Sequence, residues 1–160
     1  MYNESILNHK KLLAVDDEAD VLEIIKEQLP NYLVTTAQDF DSGLQLIREE
    51  VFDLVILDIM GVNGFELLRE CRARHFPATM LTSKAINVES LNRAIKEGAV
   101  SFLPKEELAR LPELVTEILG ELQQGRTHWV KLFDRLDSFF KKKFGETWNH
   151  LDTPPWTGFY

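Results

Sequence analysis

Five short apolar runs recur along the chain, and segments with helical periodicity separate them. The runs cover residues 11–15, 33–37, 54–57, 78–81 and 100–103. Strands that alternate with helices are typical of a parallel sheet, because a parallel pair of strands needs a long crossover connection. The third run is continuously apolar, as expected for a central strand that helices cover on both faces. The pattern therefore predicts an α/β fold with five βα units.

The helical segments between the runs have recognisable starts and stops. We expect the first helix to end at Pro30, the second to begin at Asp41 or Ser42, the third to end before Pro77, the fourth to end at Gly98 and the fifth to span residues 108–122. Proline cannot continue a helix, and glycine is favoured just after one. The fifth unit is then complete by about residue 124, so residues 1–124 form the predicted domain.

The composition favours a soluble globular protein. Apolar residues make up 44% of the 160 residues, which excludes a disordered or collagen-like chain. The net charge of −8 disfavours nucleic acid as the main ligand, so we expect no DNA binding. Cys71 is the only cysteine, and a chain without a possible internal disulfide suits a cytoplasmic protein. No run approaches the ~18 apolar residues that a membrane span needs.

Residues 125–160 differ from the rest of the chain in charge. They contain 4 acidic and 6 basic residues, whereas residues 1–124 contain 22 and 12. Thr127 is a candidate N-cap and Gly145 a candidate stop for an amphipathic helix. Large apolar residues share one face of that helix: Trp129, Leu132, Phe133, Leu136, Phe139, Phe140 and Phe144. The sequence therefore predicts an amphipathic helix and, beyond it, an aromatic tail over residues 152–160.

Polar residues follow four of the five apolar runs. They are Asp16 and Asp17 after the first, Asp58 after the third, Thr82 after the fourth and Lys105 near the end of the fifth. In an open parallel sheet the carboxyl ends of the strands meet at one edge, where ligands bind. Three carboxylates held close together repel one another unless a cation neutralises them, and oxygen ligands suit Mg²⁺. An aspartate beside Mg²⁺, with a lysine and a hydroxyl opposite, is equipped to attack a phosphoryl group.

Four motifs in this order resemble the receiver domain of two-component response regulators, the chemotaxis-regulator-like domain. They are LLAVDDE at residues 12–18, LVILDIM at 54–60, MLTSK at 80–84 and GAVSFLPK at 98–105. The resemblance covers residues 10–124. It implies a doubly wound, flavodoxin-like sheet of five parallel strands in the order 2-1-3-4-5.

The same resemblance assigns roles to the residues at the strand ends. Asp58 is the implied phosphoacceptor, and Asp17 and Asp58 are the implied direct ligands of Mg²⁺. Asp16 is expected to help through water, and Met60 to offer its backbone carbonyl. Thr82 and Lys105 are expected to contact the bound phosphoryl group.

The resemblance also implies a switch, consisting of Thr82 and the aromatic residue Phe102. A strand aromatic packs well in a core whatever its role, so Phe102 as plain core remains an alternative. The chain departs from the family pattern at two places. The segment between Asp58 and Gly64 is two residues shorter than usual, and Lys105 is followed by Glu106 where the family commonly has proline.

The implied function is that of a stand-alone response regulator in a bacterial phosphorelay. It would accept a phosphoryl group on Asp58 from a histidine kinase or phosphotransfer protein and signal through protein–protein contacts. It would not be an enzyme beyond its own phosphorylation and dephosphorylation.

We expect the C-terminal helix to dock on an acidic face of the domain or of a second copy, because its apolar stripe cannot stay in water. The expected surface for a homodimer is that helix or the face from the fourth to the fifth helix, and we expect phosphorylation to alter this packing.

There are three alternatives to this interpretation, and the set of strand-end residues, with its lysine and threonine, favours the receiver over each of them. Asp17, Asp58 and Asn63 are ordinary helix-capping residue types. A phosphohydrolase with an aspartyl nucleophile usually needs a second acid two residues later, where Met60 stands. A scaffold that acts through the C-terminal helix without phosphorylation is the third.

The four histidines have no metal or triad spacing, and we expect them to be solvated or incidental. We expect the three lysines at 141–143 to form a solvated helix face.

Overall fold

The computed structural model describes residues 9–82, 88–135 and 137–145. Within these ranges five parallel strands form one sheet in the order β2-β1-β3-β4-β5. The strands are β1 (Lys11–Val15), β2 (Leu33–Ala37), β3 (Leu54–Asp58), β4 (Ala78–Thr82) and β5 (Ser101–Pro104). The predicted α/β fold and its strand order are confirmed.

Seven α-helices connect and follow the strands in the described part of the chain. They are α1 (Ala19–Gln28), α2 (Phe40–Glu49), α3 (Gly64–Ala73), α4 (Val88–Lys96), α5 (Leu111–Gln123), α6 (Trp129–Arg135) and α7 (Asp137–Phe144). A 3₁₀-helix over Lys105–Arg110 joins β5 to α5. Among the described residues no helix is both long and apolar enough to cross a bilayer.

The register of the sheet brings the carboxyl ends of four strands to one edge. Val15 at the end of β1 lies opposite Leu57, so the next residues, Asp16 and Asp58, follow from neighbouring positions. At the other side of β4, Thr82 pairs with Pro104, the residue before Lys105. Every residue of β3 is buried, because helices cover both faces of this central strand.

Two helix starts differ from the sequence prediction. The N-cap of α2 is Asp39, whose carboxylate accepts a 2.7 Å hydrogen bond from Ser42 N. The prediction of Asp41 or Ser42 was therefore wrong, because Asp39 satisfies the free N–H groups one turn earlier. The fifth α-helix begins at Leu111 rather than at residue 108, since the preceding turns are 3₁₀ and Pro112 lies in its first turn, where proline is favoured.

The C-terminal helix prediction is covered only in part by the described residues. The structure has two segments, α6 and α7, on either side of residue 136, and Gly145 follows α7 with a left-handed φ of 94°. Trp129 and Leu132 are fully buried in the same core as the strands, and Phe133 packs against it. The expected stripe residues Leu136, Phe139, Phe140 and Phe144, and the aromatic tail, lie outside the described side chains.

The α6 helix packs against β5, the last strand of the sheet, and against the two residues that precede it. The backbone N–H of His128 donates to Val100 O at 3.0 Å, and the indole Nε1 of Trp129 donates to Ala99 O at 2.9 Å. An edge strand presents unpaired backbone groups, and here a helix covers part of that edge. The C-terminal segment therefore docks on its own domain.

Ion pairs hold α6 against α5. Glu113, Glu117 and Glu121 stand four residues apart and share one face of α5. Arg135 lies 3.1 Å from Glu113 and also contacts Glu117, while Lys131 lies 3.4 Å from Glu121. The expectation that the basic segment meets an acidic face is met in these contacts.

The prediction that all four histidines are solvated or incidental was wrong for His128. Its side chain is fully buried. Its Nδ1 lies 2.8 Å from Ser101 Oγ and its Nε2 lies 3.0 Å from Glu117 Oε1. Burial lowers the pKa of His128, although the Glu117 carboxylate acts against it. The residue links β5, α5 and the start of α6.

Candidate functional site

A cleft of about 210 Å³ opens at the carboxyl edge of the sheet. Its lining comes from the ends of β1, β3, β4 and β5: Asp17, Glu18, Asp58, Met60, Gly61, Thr82 and Lys105. The strand-end residues that the sequence predicted to converge are therefore brought together, with Asp16 directly behind them.

Lys105 stands at the centre of the charged groups. Its ammonium lies 2.9 Å from Asp16 Oδ2 and 3.3 Å from Asp58 Oδ1. It also lies 3.2 Å from Glu18 Oε1, and the lysine side chain is only 8% exposed. Burial alone would lower the pKa of Lys105, but these three carboxylates outweigh it and raise the pKa above its ordinary value. The lysine is therefore a fixed positive charge in the cleft, although glutamate rather than proline follows it.

Asp16 is the most buried acid of the site. Its Oδ1 accepts a 2.8 Å hydrogen bond from Glu18 N, and its residue exposure is 0%. Burial raises the pKa of Asp16, and the nearby charge of Asp58 adds to that effect, whereas Lys105 opposes it. Asp16 does not line the cleft, but its carboxylate contributes to the electrostatic potential there.

Asp58 ends β3 at the base of the cleft. Its Oδ1 faces Lys105, and its Oδ2 accepts a 2.9 Å hydrogen bond from Gly61 N. The side chain is 7% exposed, so it is held in one orientation while it remains reachable from the cleft. The short segment after the strand thus folds back on the carboxylate that precedes it.

The acidic residues offer a set of oxygen donors that fits a hard divalent cation. Asp16, Asp17 and Glu18 can each supply one carboxylate oxygen, and these oxygens lie within 4.8 Å of one another. Carboxylate oxygens beside an open, polar cleft are the ligands that Mg²⁺ prefers. The ammonium of Lys105 contacts the carboxylates of both Asp16 and Asp58.

The remaining predicted residues have distinct positions. Met60 lines the cleft with a side chain that is 71% exposed, and Thr82 lines it while 5% exposed. Phe102 is fully buried in β5, opposite Met80. This burial fits a core residue, and the switch roles of Thr82 and Phe102 stay predictions. Ser83 and Lys84, from the same motif as Thr82, lie outside the described residues.

The capping alternative is not supported for the two central aspartates. The N-cap of α1 is Glu18, which makes no side-chain capping bond, so Asp17 is not the cap. Asn63 is the N-cap of α3 with a left-handed φ of 52°, and its side chain makes no capping bond either. The carboxylate of Asp58 turns to Gly61 and Lys105 instead.

Sequence reasoning missed two residues of the cleft. Glu18 was part of a quoted motif but had no assigned role, and the structure places it on Lys105. Gly61 was seen only as part of a shortened segment, and the structure places its N–H on Asp58. The position of Glu18 beside two aspartates is a signal that could have included it in the acidic set.

Comparison with known proteins agrees with this geometry. The family model of the response regulator receiver domain matches residues 12–118. The transcriptional regulatory protein CpxR of Klebsiella pneumoniae is 35% identical over 124 residues, which cover 74% of this chain and 51% of CpxR. CpxR of Escherichia coli K12 is 32% identical over the same lengths. The chain spans about half the length of these curated relatives.

Solved structures show the same fold. A CheY-like response regulator receiver domain protein from Methanospirillum hungatei JF-1 superposes with a TM-score of 0.67 at 28% identity. The match covers 73% of this chain and 98% of that one. The same conclusion follows from the family match, the strand order and the acidic cleft with its lysine. The chain belongs to the response regulator receiver domain family.

Proposed function

We propose that Asp58 accepts a phosphoryl group and that the chain signals through the resulting change. The observation that carries this proposal is the position of the Asp58 carboxylate. It is reachable from the cleft, and its Oδ1 lies 3.3 Å from the buried ammonium of Lys105. A carboxylate nucleophile facing a fixed cation has the arrangement that phosphoryl transfer needs.

The transfer step is a single displacement at phosphorus. An oxygen of Asp58 forms the new O–P bond while the bond from phosphorus to the donor's leaving atom breaks, and the leaving group takes up a proton. Lys105 stabilises the charge on the phosphoryl oxygens, and Thr82, which also lines the cleft, offers a hydroxyl to them. Loss of the phosphoryl group to water regenerates Asp58, and we propose no catalysis beyond these two reactions.

We propose that Mg²⁺ is required for the transfer. Bound Mg²⁺ supplies positive charge to the phosphoryl oxygens. Asp17 and Asp58, with the Met60 carbonyl, would hold it, and Asp16 would act through water. The acidic cluster of Asp16, Asp17 and Glu18 supports a cation at this edge of the sheet, whereas Asp58 and Met60 are included as ligands because of the family resemblance.

The proposed donor is a histidine kinase or a phosphotransfer protein. The proposed output of this chain is protein–protein contact. The relatives are named transcriptional regulators, so DNA binding by a longer form is the competing outcome. A route for the signal is β5, because one strand joins Ser101, the partner of His128, to the Lys105 end of the sheet.

Mass spectrometry of the intact chain tests the phosphoacceptor. Incubation with Mg²⁺ and a small phosphodonor should give one phosphate adduct in the wild type and none in Asp58→Asn, which lacks the nucleophilic carboxylate. Asp41→Asn, an exposed acid in the first turn of α2, should keep the adduct. An adduct that persists in Asp58→Asn contradicts the assignment, and a wild type without any adduct favours the scaffold alternative.

Met60 predicts a long-lived phosphorylated form. Hydrolysis needs a water held in line with the leaving oxygen, and a thioether side chain at the cleft cannot hold it. Met60→Asn or Met60→Glu should shorten the half-life of the adduct, because a polar side chain at this position can hold the attacking water. Decay of the adduct after removal of the donor is the measurement. An unchanged half-life would show that this side chain does not reach the attacking water.

A further inference from the structure

Gly61 contacts both carboxylates that are proposed to hold the cation. Its backbone N–H donates to Asp58 Oδ2 at 2.9 Å. The Asp17 carboxylate occupies the space that a side chain at position 61 would need. A Cβ built on Gly61 would lie 2.2 Å from Asp17 Oδ1 and 2.6 Å from Asp17 Oδ2. One backbone unit thus lies between an acid of the β1 end and the acid of the β3 end.

The requirement for glycine here is steric. Real Cβ atoms do not approach other atoms within 3.0 Å, so the Asp17 carboxylate can occupy its place only over a residue that has no Cβ. The positive-φ glycines of the described chain are Gly98, Gly125 and Gly145. Gly61 is not among them, so a left-handed backbone is not the reason for glycine at this position.

We propose that Gly61 is a positioning residue of the site. Its N–H orients the Asp58 carboxylate, and its bare Cα sets how close the Asp17 carboxylate comes to Asp58. Gly61 lies in the segment between Asp58 and Gly64, three residues after Asp58. The inference rests on the proposed function, because it concerns the spacing of two proposed ligands of Mg²⁺.

The three atoms that a Cβ at position 61 would approach most closely all belong to the exposed side chain of Asp17. Asp17 can turn away, so the fold survives while the donor set loses its spacing. Gly64 differs in this respect, since a Cβ there would lie 2.2 Å from the backbone oxygen of Asp58. Substitution at Gly61 therefore separates loss of the site from loss of the fold.

Calorimetric titration of the unphosphorylated chain with Mg²⁺ tests the proposal without any phosphorylation readout. Gly61→Ala should weaken Mg²⁺ binding by about tenfold or more, as for groups that orient metal ligands. Its melting temperature without Mg²⁺ should stay at the wild-type value. Gly125→Ala is the matched control, because its Cβ meets nothing within 4 Å but its φ is 74°. It should keep Mg²⁺ affinity and lose thermal stability.

The double variant Asp17→Ala with Gly61→Ala decides how Gly61 acts. If Gly61 acts through Asp17, the double variant should bind Mg²⁺ no more weakly than Asp17→Ala alone. A further loss of affinity, or a melting temperature lowered by Gly61→Ala in both backgrounds, means backbone damage and overturns the proposal. Equal Mg²⁺ affinity of Gly61→Ala and the wild type also overturns it. A wild type that binds no Mg²⁺ at all overturns the proposed function and this inference with it.

Discussion

Asp17→Ala should abolish Mg²⁺-dependent phosphorylation of Asp58 and leave the fold intact. Asp17 lies in a cluster of three carboxylates whose oxygens are within 4.8 Å of one another, so its removal relieves repulsion in the absence of a cation. The same removal deletes a proposed direct ligand of Mg²⁺. The free energy of unfolding without Mg²⁺ should therefore rise slightly, while the phosphate adduct disappears from the intact mass.

Asp20→Ala is the matched control for this prediction. Asp20 is an exposed acid only three residues away, in the first turn of α1, and it does not line the cleft. Its loss should leave phosphorylation at the wild-type level. Equal phosphorylation of Asp17→Ala and the wild type in Mg²⁺ would show that the cation, if it binds, does not use this carboxylate.

The convergence of the site residues was predictable because it follows from topology alone. In a parallel sheet every strand ends at the same edge, so residues as far apart as Asp16 and Lys105 meet once the strands are located. The contacts within the site were not predictable in the same way. That Glu18 bonds to Lys105, and that Gly61 N bonds to Asp58, depends on how two short loops close over the strand ends.

The histidine error has a physical reason as well. A motif search looks for groups of histidines, whereas His128 acts alone, in a pocket formed by β5, α5 and α6. A sequence shows that a polar residue is present but not that its two ring nitrogens find Ser101 and Glu117. The acidic face of α5 had a signal in the sequence that our prediction did not use, because Glu113, Glu117 and Glu121 repeat at the i, i+4 spacing that places them on one side of a helix.

The helix that follows the family match is a structural part of this domain. The match to the receiver family ends at residue 118, and we predicted the domain boundary at 124. The structure nevertheless buries Trp129 and Leu132 in the core of the sheet. Residue 128 supplies a buried hydrogen bond to β5. A boundary drawn from the family pattern would cut through this packed interface.

Trp129→Ala should therefore be among the most destabilising single substitutions in the chain. The Trp129 side chain is 1% exposed and donates a hydrogen bond to Ala99 O, and replacing a buried Trp by Ala costs about 3–5 kcal/mol of unfolding free energy. Val130→Ala is the control on the same helix. Its side chain is 59% exposed, so the change should stay within about 0.5 kcal/mol.

Urea unfolding of the two variants, followed by circular dichroism, measures both free energies. A large loss in Trp129→Ala alone would show that α6 folds as one cooperative unit with the sheet, since an independent appendage could not lower the stability of the domain. Equal stability of the two variants would show instead that α6 detaches in solution without cost. The segment would then be free to bind a second copy or a partner, and β5 would not carry a signal to it.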